Sequence, residues 1–254
     1  MISKNKIKYI RGLEKKKVRD AEGVFVAEGA KLVNDILERF PSYAQTLIAT
    51  SEWFESNEAR VKGGHLNCEL IQVEPDELKK VSLLCHPQSV LAVFRKLPSI
   101  SDFDISEKLT LVLDSVQDPG NMGTIVRIAD WFGIENIICS PTCADVYNPK
   151  VVQATMGSIS RVNVSYMPLC SFFDQLPPVL PIYGTLLDGD NINEMPLTKN
   201  GVIVMGNEGN GISPEIRKRI THALRIPRFP PNRDTVESLN VAIATAIVCA
   251  DFRK

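Results

Sequence analysis

Three strand-to-helix junctions carry the residues whose types and spacing could do chemistry. The first is V-I-V-M-G-N-E-G-N-G-I-S-P-E (202–215), where an apolar run ends in three glycines and the carboxylate of Glu208 before a helix start. The others are D-S-V-Q-D-P-G-N-M-G-T-I-V-R-I-A-D (114–130) and I-P-R-F-P-P-N-R-D-T-V-E-S-L-N-V-A-I-A (226–244). A glycine loop between strand and helix brings backbone amides close to a small ligand. In parallel α/β proteins such junctions collect on one edge of the sheet, where ligands bind. The dinucleotide fingerprint G-x-G-x-x-G is not what stands here. The glycine order is G-x-x-G-x-G, it follows a late strand, and no G-x-x-x-x-G-K-[ST] phosphate loop occurs. A carboxylate at the centre of the loop repels pyrophosphate, so the ligand is expected to be neutral or cationic there. That disfavours a dinucleotide oxidoreductase.

The elements that must position these junctions alternate along the chain. A basic helix is expected over 2–18, a strand over 24–29, and an amphipathic helix over 30–40 with Leu32, Val33, Ile36 and Leu37 inward. Strands over 46–50, 68–73 and 89–94, with a short helix at 74–82, complete a small α/β unit. The polar stretch 96–107 reads as a linker. L-T-L-V-L-D (109–114) then opens a second unit as a buried, parallel-type strand. D-P-G-N (118–121) reads as a turn before a helix at 122–133, on which Ile125, Ile128, Ala129 and Phe132 share a side and Arg127 falls opposite. Further strands are expected over 136–140, 161–166, 181–186, 201–206 and 223–227, with helices through 149–157 and 172–176. Ser213 and Pro214 start another helix at 213–220. The last helix, 238–250, is apolar nearly all round, which predicts burial on more than one side, by its own sheet or a partner subunit. The expected domains are thus 1–100, a linker 101–108, and 109–254.

The chain of 254 residues has a net charge of −1, but residues 1–19 carry eight lysines and arginines against Glu14. A basic arm on an acidic body points to a polyanion, with Lys4, Lys8, Arg11, Lys15, Lys16 and Arg19 as nucleic-acid-binding candidates. No apolar run reaches the roughly 18 residues of a membrane span, and the charged N-terminus lacks a signal-peptide centre. A cytoplasmic protein with no membrane partner is expected. The six cysteines are scattered and without nearby histidines, so they read as buried free thiols and no metal site is expected.

Taken together and in order, the three junctions resemble the signature motifs of the SpoU (TrmH-like) branch of the SPOUT RNA methyltransferases. The first reads L-D-x-x-x-D-P-x-N-x-G-x-x-x-R-x-A, the second M-G-N-E-G-x-G, and the third begins I-P and ends E-S-L-N-V-x-x-A. The resemblance covers 109–254, while 1–100 is similar, more loosely, to the small RNA-binding domain that many relatives carry. It implies a C-terminal parallel-sheet α/β domain with a trefoil knot, preceded by a smaller α/β RNA-binding domain. It further implies S-adenosyl-L-methionine as cofactor, a homodimer through the C-terminal domain, and methyl transfer to a ribose 2′-hydroxyl. The full N-terminal domain tilts the expected substrate toward ribosomal over transfer RNA.

By the same resemblance Gly206, Ile226 and Leu239 line the cofactor pocket, Asn207, Glu208 and Gly209 shape its loop, and Thr185 is a further wall. Arg127 is expected in the active site with Asn121, while Ser238 and Asn240 position the ribose and the loops. A guanidinium stays protonated in proteins, so Arg127 is read as a donor to the developing alkoxide rather than a base. The proton acceptor is left open between a phosphate oxygen, Glu208 and water. The segment 228–237 is longer than relatives commonly have and carries Arg228 and Arg233 at the rim. Two other readings stand beside this one: a non-catalytic RNA-binding protein retaining the fold, and an enzyme for another acceptor, such as transfer RNA or a base nitrogen.

Overall fold

Apolar strand runs at the expected positions assemble into two separate sheets. A computed structural model of the chain describes residues 2–64, 66–98, 105, 107–230 and 238–254. Most of the expected linker and Arg233 therefore lie outside the described residues. Two units are distinguished by packing: Met1–Pro98 with Asp145–Ser160, and Ser99–Ala144 with Arg161–Lys254.

The first unit runs through α1 (Lys4–Gly12), α2 (Lys16–Glu22), β1 (Val24–Glu28), α3 (Ala30–Arg39), β2 (Ala44–Ala49), α4 (Ser51–Ser56), α5 (Glu58–Lys62), β3 (Glu69–Gln72), α6 (Pro75–Val81) and β4 (Val90–Arg95). Its sheet has the order β1-β4-β2-β3, antiparallel except for the parallel β2–β3 pair. α3 packs on β1 and β4 with Leu32, Val33, Ile36 and Leu37 buried, the face its 3.6-residue periodicity predicts. Ile10 and Leu13, with Leu78 and Val81 of α6, close a core over Val24, Val26, Ile48, Leu91 and Val93.

The basic N-terminal helix expected over 2–18 is two helices. The chain turns at Leu13–Lys15, and the carbonyls freed there are claimed by a side chain. Arg19 donates to Leu13 O at 2.8 Å and Glu14 O at 2.7 Å, and its other terminal nitrogen meets Asp145 Oδ2 at 2.5 Å. Its guanidinium is 1% exposed. Arg19 is therefore a correction to the RNA-facing set: a buried cation whose terminal nitrogens are held by two carbonyls and a carboxylate does not contact solvent or a polyanion. Lys4, Lys8, Arg11, Lys15 and Lys16 stay on the surface.

The second unit opens with β5 (Leu109–Leu113), α7 (Pro119–Trp131) and β6 (Asn136–Cys139). The connection onward passes through α8 (Pro149–Thr155), which packs against β1 of the first unit. Then follow β7 (Asn163–Tyr166), α9 (Leu169–Phe173), β8 (Ile182–Asn191), β9 (Gly201–Met205), α10 (Pro214–Arg217), β10 (His222–Arg225) and α11 (Val241–Asp251). The sheet order is β10-β8-β9-β5-β6-β7 and every pair is parallel. β5, β6 and β9 are buried along their whole length, as continuous apolar runs require in a sheet covered on both faces. One face packs Val112, Ile138, Val202 and Val204 against Leu169, Phe172, Phe173 and Ile216. α7 and α11 pack on each other, burying Met122, Ile125, Val126, Ala129, Val241, Ala242 and Val248.

Two helix starts differ from expectation, for the same local reason. α7 begins at Pro119, inside the D-P-G-N stretch read as a turn: Asp118 caps it, accepting from Asn121 N at 2.8 Å, and Pro119 occupies the first turn, where a missing N–H costs nothing. α11 begins at Val241 because Asn240 is its cap and not an interior residue. β8 also runs on to Asn191, past the expected end at 186.

Candidate active site

The strand order turns back between β5 and β9: the chain runs outward from β5 to β6 and β7 on one side, and from β9 past β8 to β10 on the other. Ligands in open parallel sheets bind beyond the carboxyl ends of strands at such a switch point. The glycine loop after β9 lies there, built by its own side chains. Asn207 Oδ1 accepts from Gly209 N at 2.9 Å and Asn210 N at 3.0 Å, while Asn207 N and O pair with Gly211 O and N, both at 2.9 Å. Gly211 takes φ +68°, a conformation that disfavours a side chain. Gly206 faces the returning backbone so closely that a Cβ would lie 2.3 Å from Gly211 C and 2.4 Å from Ile212 N.

Two further bonds fasten this loop to the end of β5. Asn207 Nδ2 donates to Ser115 O at 2.7 Å, and Ser213 N donates to the buried Asp114 Oδ2 at 2.7 Å. Asp114 stands in the first motif but carried no role in the sequence reading. Its partner lies 99 residues away, so no local pattern could assign one.

With the loop held, Glu208 projects from its tip, exposed. A directed chain of hydrogen bonds ends on it. Ala242 N and Ile243 N donate to Asn240 Oδ1 at 3.0 and 3.2 Å, Asn240 Nδ2 donates to Asn121 Oδ1 at 2.9 Å, and Asn121 Nδ2 donates to Glu208 Oε1 at 2.8 Å. A carboxylate only accepts, so the amide orientations follow one from the next. The α11 N-terminus, with its partial positive charge, is thereby linked to the loop carboxylate. Among the described residues, Glu208 Oε2 keeps only a 3.4 Å contact from Asn207 Nδ2.

Beside Glu208 opens a cavity of about 670 Å³. Thr185, Gly206, Asn207, Glu208, Gly209, Ile226, Ser238 and Leu239 line it, which places every expected cofactor residue on one wall or another. Thr185 Oγ1 is held by Val204 O at 3.1 Å. Neither Ile226 nor Leu239 is core; Leu239 is half exposed at 48%. The sequence reading missed Leu186–Asp188, because Asp188-Gly189-Asp190 looks like a turn where β8 in fact continues. It also missed Leu224 and Arg225 of β10 and Arg217, which is ion-paired with Asp188. Asn121 and Asn240 do not line the cavity: Asn121 is bonded to Glu208, and Asn240 to Asn121.

Arg127 is not joined to this cluster. It is exposed on α7 and makes no hydrogen bond or ion pair among the described residues. The neighbouring carboxylate Asp130 pairs with Arg161 at 2.8 Å instead.

Residues 108–250 match the family model described as the SpoU rRNA Methylase family, more than half of the chain. The chain belongs to the SpoU rRNA methylase family. Residues 4–92 match the model of the MRM3-like substrate binding domain. The chain is 28% identical, over 98% of its length and 96% of the relative's, to the 23S rRNA (guanosine(2553)-2′-O)-methyltransferase RlmP of Bacillus subtilis. Among solved structures it resembles a protein assigned to the TrmH family of RNA methyltransferases from Porphyromonas gingivalis, with a TM-score of 0.85 and 40% identity covering 100% of this chain and 98% of that one. It also resembles the AdoMet-bound rRNA methyltransferase of Sinorhizobium meliloti, with a TM-score of 0.87 and 29% identity over 100% and 96% of the two chains. The SpoU glycine loop, Asn121 and Asn240 thus stand in this chain as one hydrogen-bonded unit. Among the described residues, no group of three or more His, Cys, Asp or Glu could hold a metal ion, and no helix is long and apolar enough to cross a membrane.

Proposed function

We propose that this SpoU-family chain transfers a methyl group from S-adenosyl-L-methionine to a ribose 2′-hydroxyl of RNA, with ribosomal RNA as the substrate class. The observation that carries the reading is the cavity walled by Gly206–Gly211 with a carboxylate anchored at its edge by Asn121 and Asn240. The residues fit the cofactor. Gly206 admits no side chain against the returning backbone, Thr185, Ile226 and Leu239 supply walls, and Glu208 is a tolerable neighbour for a sulfonium where it would repel a phosphate. When bound, the cofactor supplies an electrophilic methyl group.

The chain's own residues then prepare the nucleophile. Arg127 donates to the 2′-oxygen as negative charge builds on it. Glu208, with Oε1 committed to Asn121 and Oε2 lightly engaged, is the acceptor the loop offers for the departing proton. Ser238 at the cavity edge contacts the ribose, and Asn121 and Asn240 keep the carboxylate in register. Holding nucleophile and methyl in line can supply up to roughly 7–11 kcal/mol of the barrier. The exposed lysines and Arg11 of α1, α2 and their junction draw the RNA, with the salt sensitivity of phosphate contacts.

The chain works as a homodimer in this reading, with its C-terminal segments forming the family's trefoil knot. Support for the dimer comes from the apolar side chains that α11 and α7 leave in solvent: Ile243 at 54% and Trp131 at 84% exposed. A partner at this face would also bring a second chain to the α7 surface where Arg127 stands.

The test is transfer of tritiated methyl from S-adenosyl-L-methionine to total RNA from cells lacking the protein, with wild type and Arg127→Ala side by side. Label recovered as a 2′-O-methyl nucleoside of ribosomal RNA, and lost in the variant, is expected. Label on a base would overturn the ribose assignment, and label on transfer RNA would overturn the substrate class.

A further inference from the structure

On the cavity floor Leu224, Met205 and Val241 are at most 6% exposed. Toward the rim this reverses: Leu239 and Leu187 are 48% and 65% exposed. Phe229 lines the same cavity yet is 92% exposed, and no other ring contacts it among the described residues. Burying a phenylalanine is among the larger stabilising contributions a side chain can make, and the fold does not use this one. A ligand seated on the cavity floor finds its apolar contacts there already, so the rim aromatic addresses a second molecule. The cations Arg217, Arg225 and Arg228 line the cavity with it, against the carboxylates of Asp188 and Glu208, a balance that suits a phosphodiester.

We propose that Phe229 is the stacking platform for the base of the nucleotide whose ribose enters the site. This rests on the methyl-transfer reading above and adds a specificity-determining contact to it. A nucleotide drawn out of an RNA loop loses its stacked neighbours, and an aromatic face replaces them. Such stacking accepts any base, so Phe229 contributes affinity and orientation of the ribose without reading sequence.

The experiment compares wild type with Phe229→Ala, Phe229→Leu and Phe229→Trp, using an unmodified transcript of large-subunit ribosomal RNA. Phe229 is exposed, so the variants fold. The alanine variant is expected to raise KM for RNA by roughly 5- to 150-fold while Kd for S-adenosyl-L-methionine stays unchanged. The tryptophan variant should keep KM within a few-fold, and its emission above the Trp53 and Trp131 background should be quenched when RNA is added. Recovery of KM by leucine would overturn stacking in favour of plain apolar contact. A weakened cofactor Kd with unchanged RNA KM would make Phe229 a lid on the cofactor instead. Dissociation of a dimer in sedimentation would make it a subunit contact. Absence of methyl transfer by the wild type would defeat the underlying reading, whereas wild-type transfer with an unchanged KM in Phe229→Ala would defeat this inference alone.

Discussion

Arg19 in the first unit and Asn240 in the second each tie together chain segments more than a hundred residues apart, and they do so under opposite conditions. Arg19 is buried, with its terminal nitrogens on two carbonyls and a carboxylate. Asn240 is exposed, and so is Glu208 at the far end of its network. A buried cation has to be paired, because an unmatched charge in the interior costs several kcal/mol. A surface amide has water as an alternative partner, so its hydrogen bonds add little net stability. The first cluster thus has its reason in folding. For the second, folding supplies only the helix cap, and the remainder of the network is directed at the carboxylate beside the cavity.

Four measurements would break or sharpen that contrast. The largest effect is expected from Asp145→Ala, which strips Arg19 of its counter-charge. Urea unfolding followed by circular dichroism should show a loss of about 3–5 kcal/mol, with methyl transfer per folded molecule preserved. A loss below about 1 kcal/mol would mean that the cluster is not an anchor of the fold. Next comes Arg127→Ala, where kcat should fall roughly 100- to 1000-fold, the range seen when one donor to a developing oxyanion is removed. Its melting temperature should not move, since Arg127 has no hydrogen-bonding or ionic partner among the described residues.

Asn240 can be dissected into its two functions. Asn240→Ala should cost about 1 kcal/mol of stability through loss of the α11 cap, and activity as well. Asn240→Asp keeps the cap acceptor but cannot donate to Asn121, so stability should survive while kcat falls. Equal kcat in Asn240→Asp and wild type would rule out the directed network as a positioning device.

The smallest effect concerns a buried carboxyl that belongs to the fold. Burial pushes the Glu28 carboxyl above its ordinary value of 4.5, opposed in part by bonds from Ser82 Oγ at 2.5 Å and Leu83 N at 2.7 Å. The folded state therefore holds this proton more tightly than the unfolded chain does. Its contribution is full below the ordinary value and is lost as pH rises through the raised one. Thermal midpoints of Glu28→Gln against wild type should converge toward pH 4 and separate in favour of the variant toward neutrality. A separation of opposite sign would show that the ionised form is the better-held one.

The residues alone, read locally, determined a good deal. Apolar runs and their periods located the strands of both sheets and the inward face of α3, because burial on one side imposes its spacing on the sequence. Three motifs at strand ends named the cavity wall, because a loop that must approach a backbone or ligand closely has few residue choices. Helix starts were harder: Asp118 before Pro119 and Asn240 before Val241 are good caps, but each also reads plausibly as a turn or an interior residue until the flanking turns are built. What only the tertiary structure decided were partnerships. Arg19 looked like a surface cation until Asp145 and two carbonyls enclosed it. Asn240 stood inside the expected apolar helix until it proved to be an exposed cap reaching Asn121. Asp114 became a fastener only when Ser213 arrived beside it. A side chain's charge and shape are written in its own position, but its burial and its hydrogen-bond partner belong to residues about a hundred places away. Only folding brings those residues together.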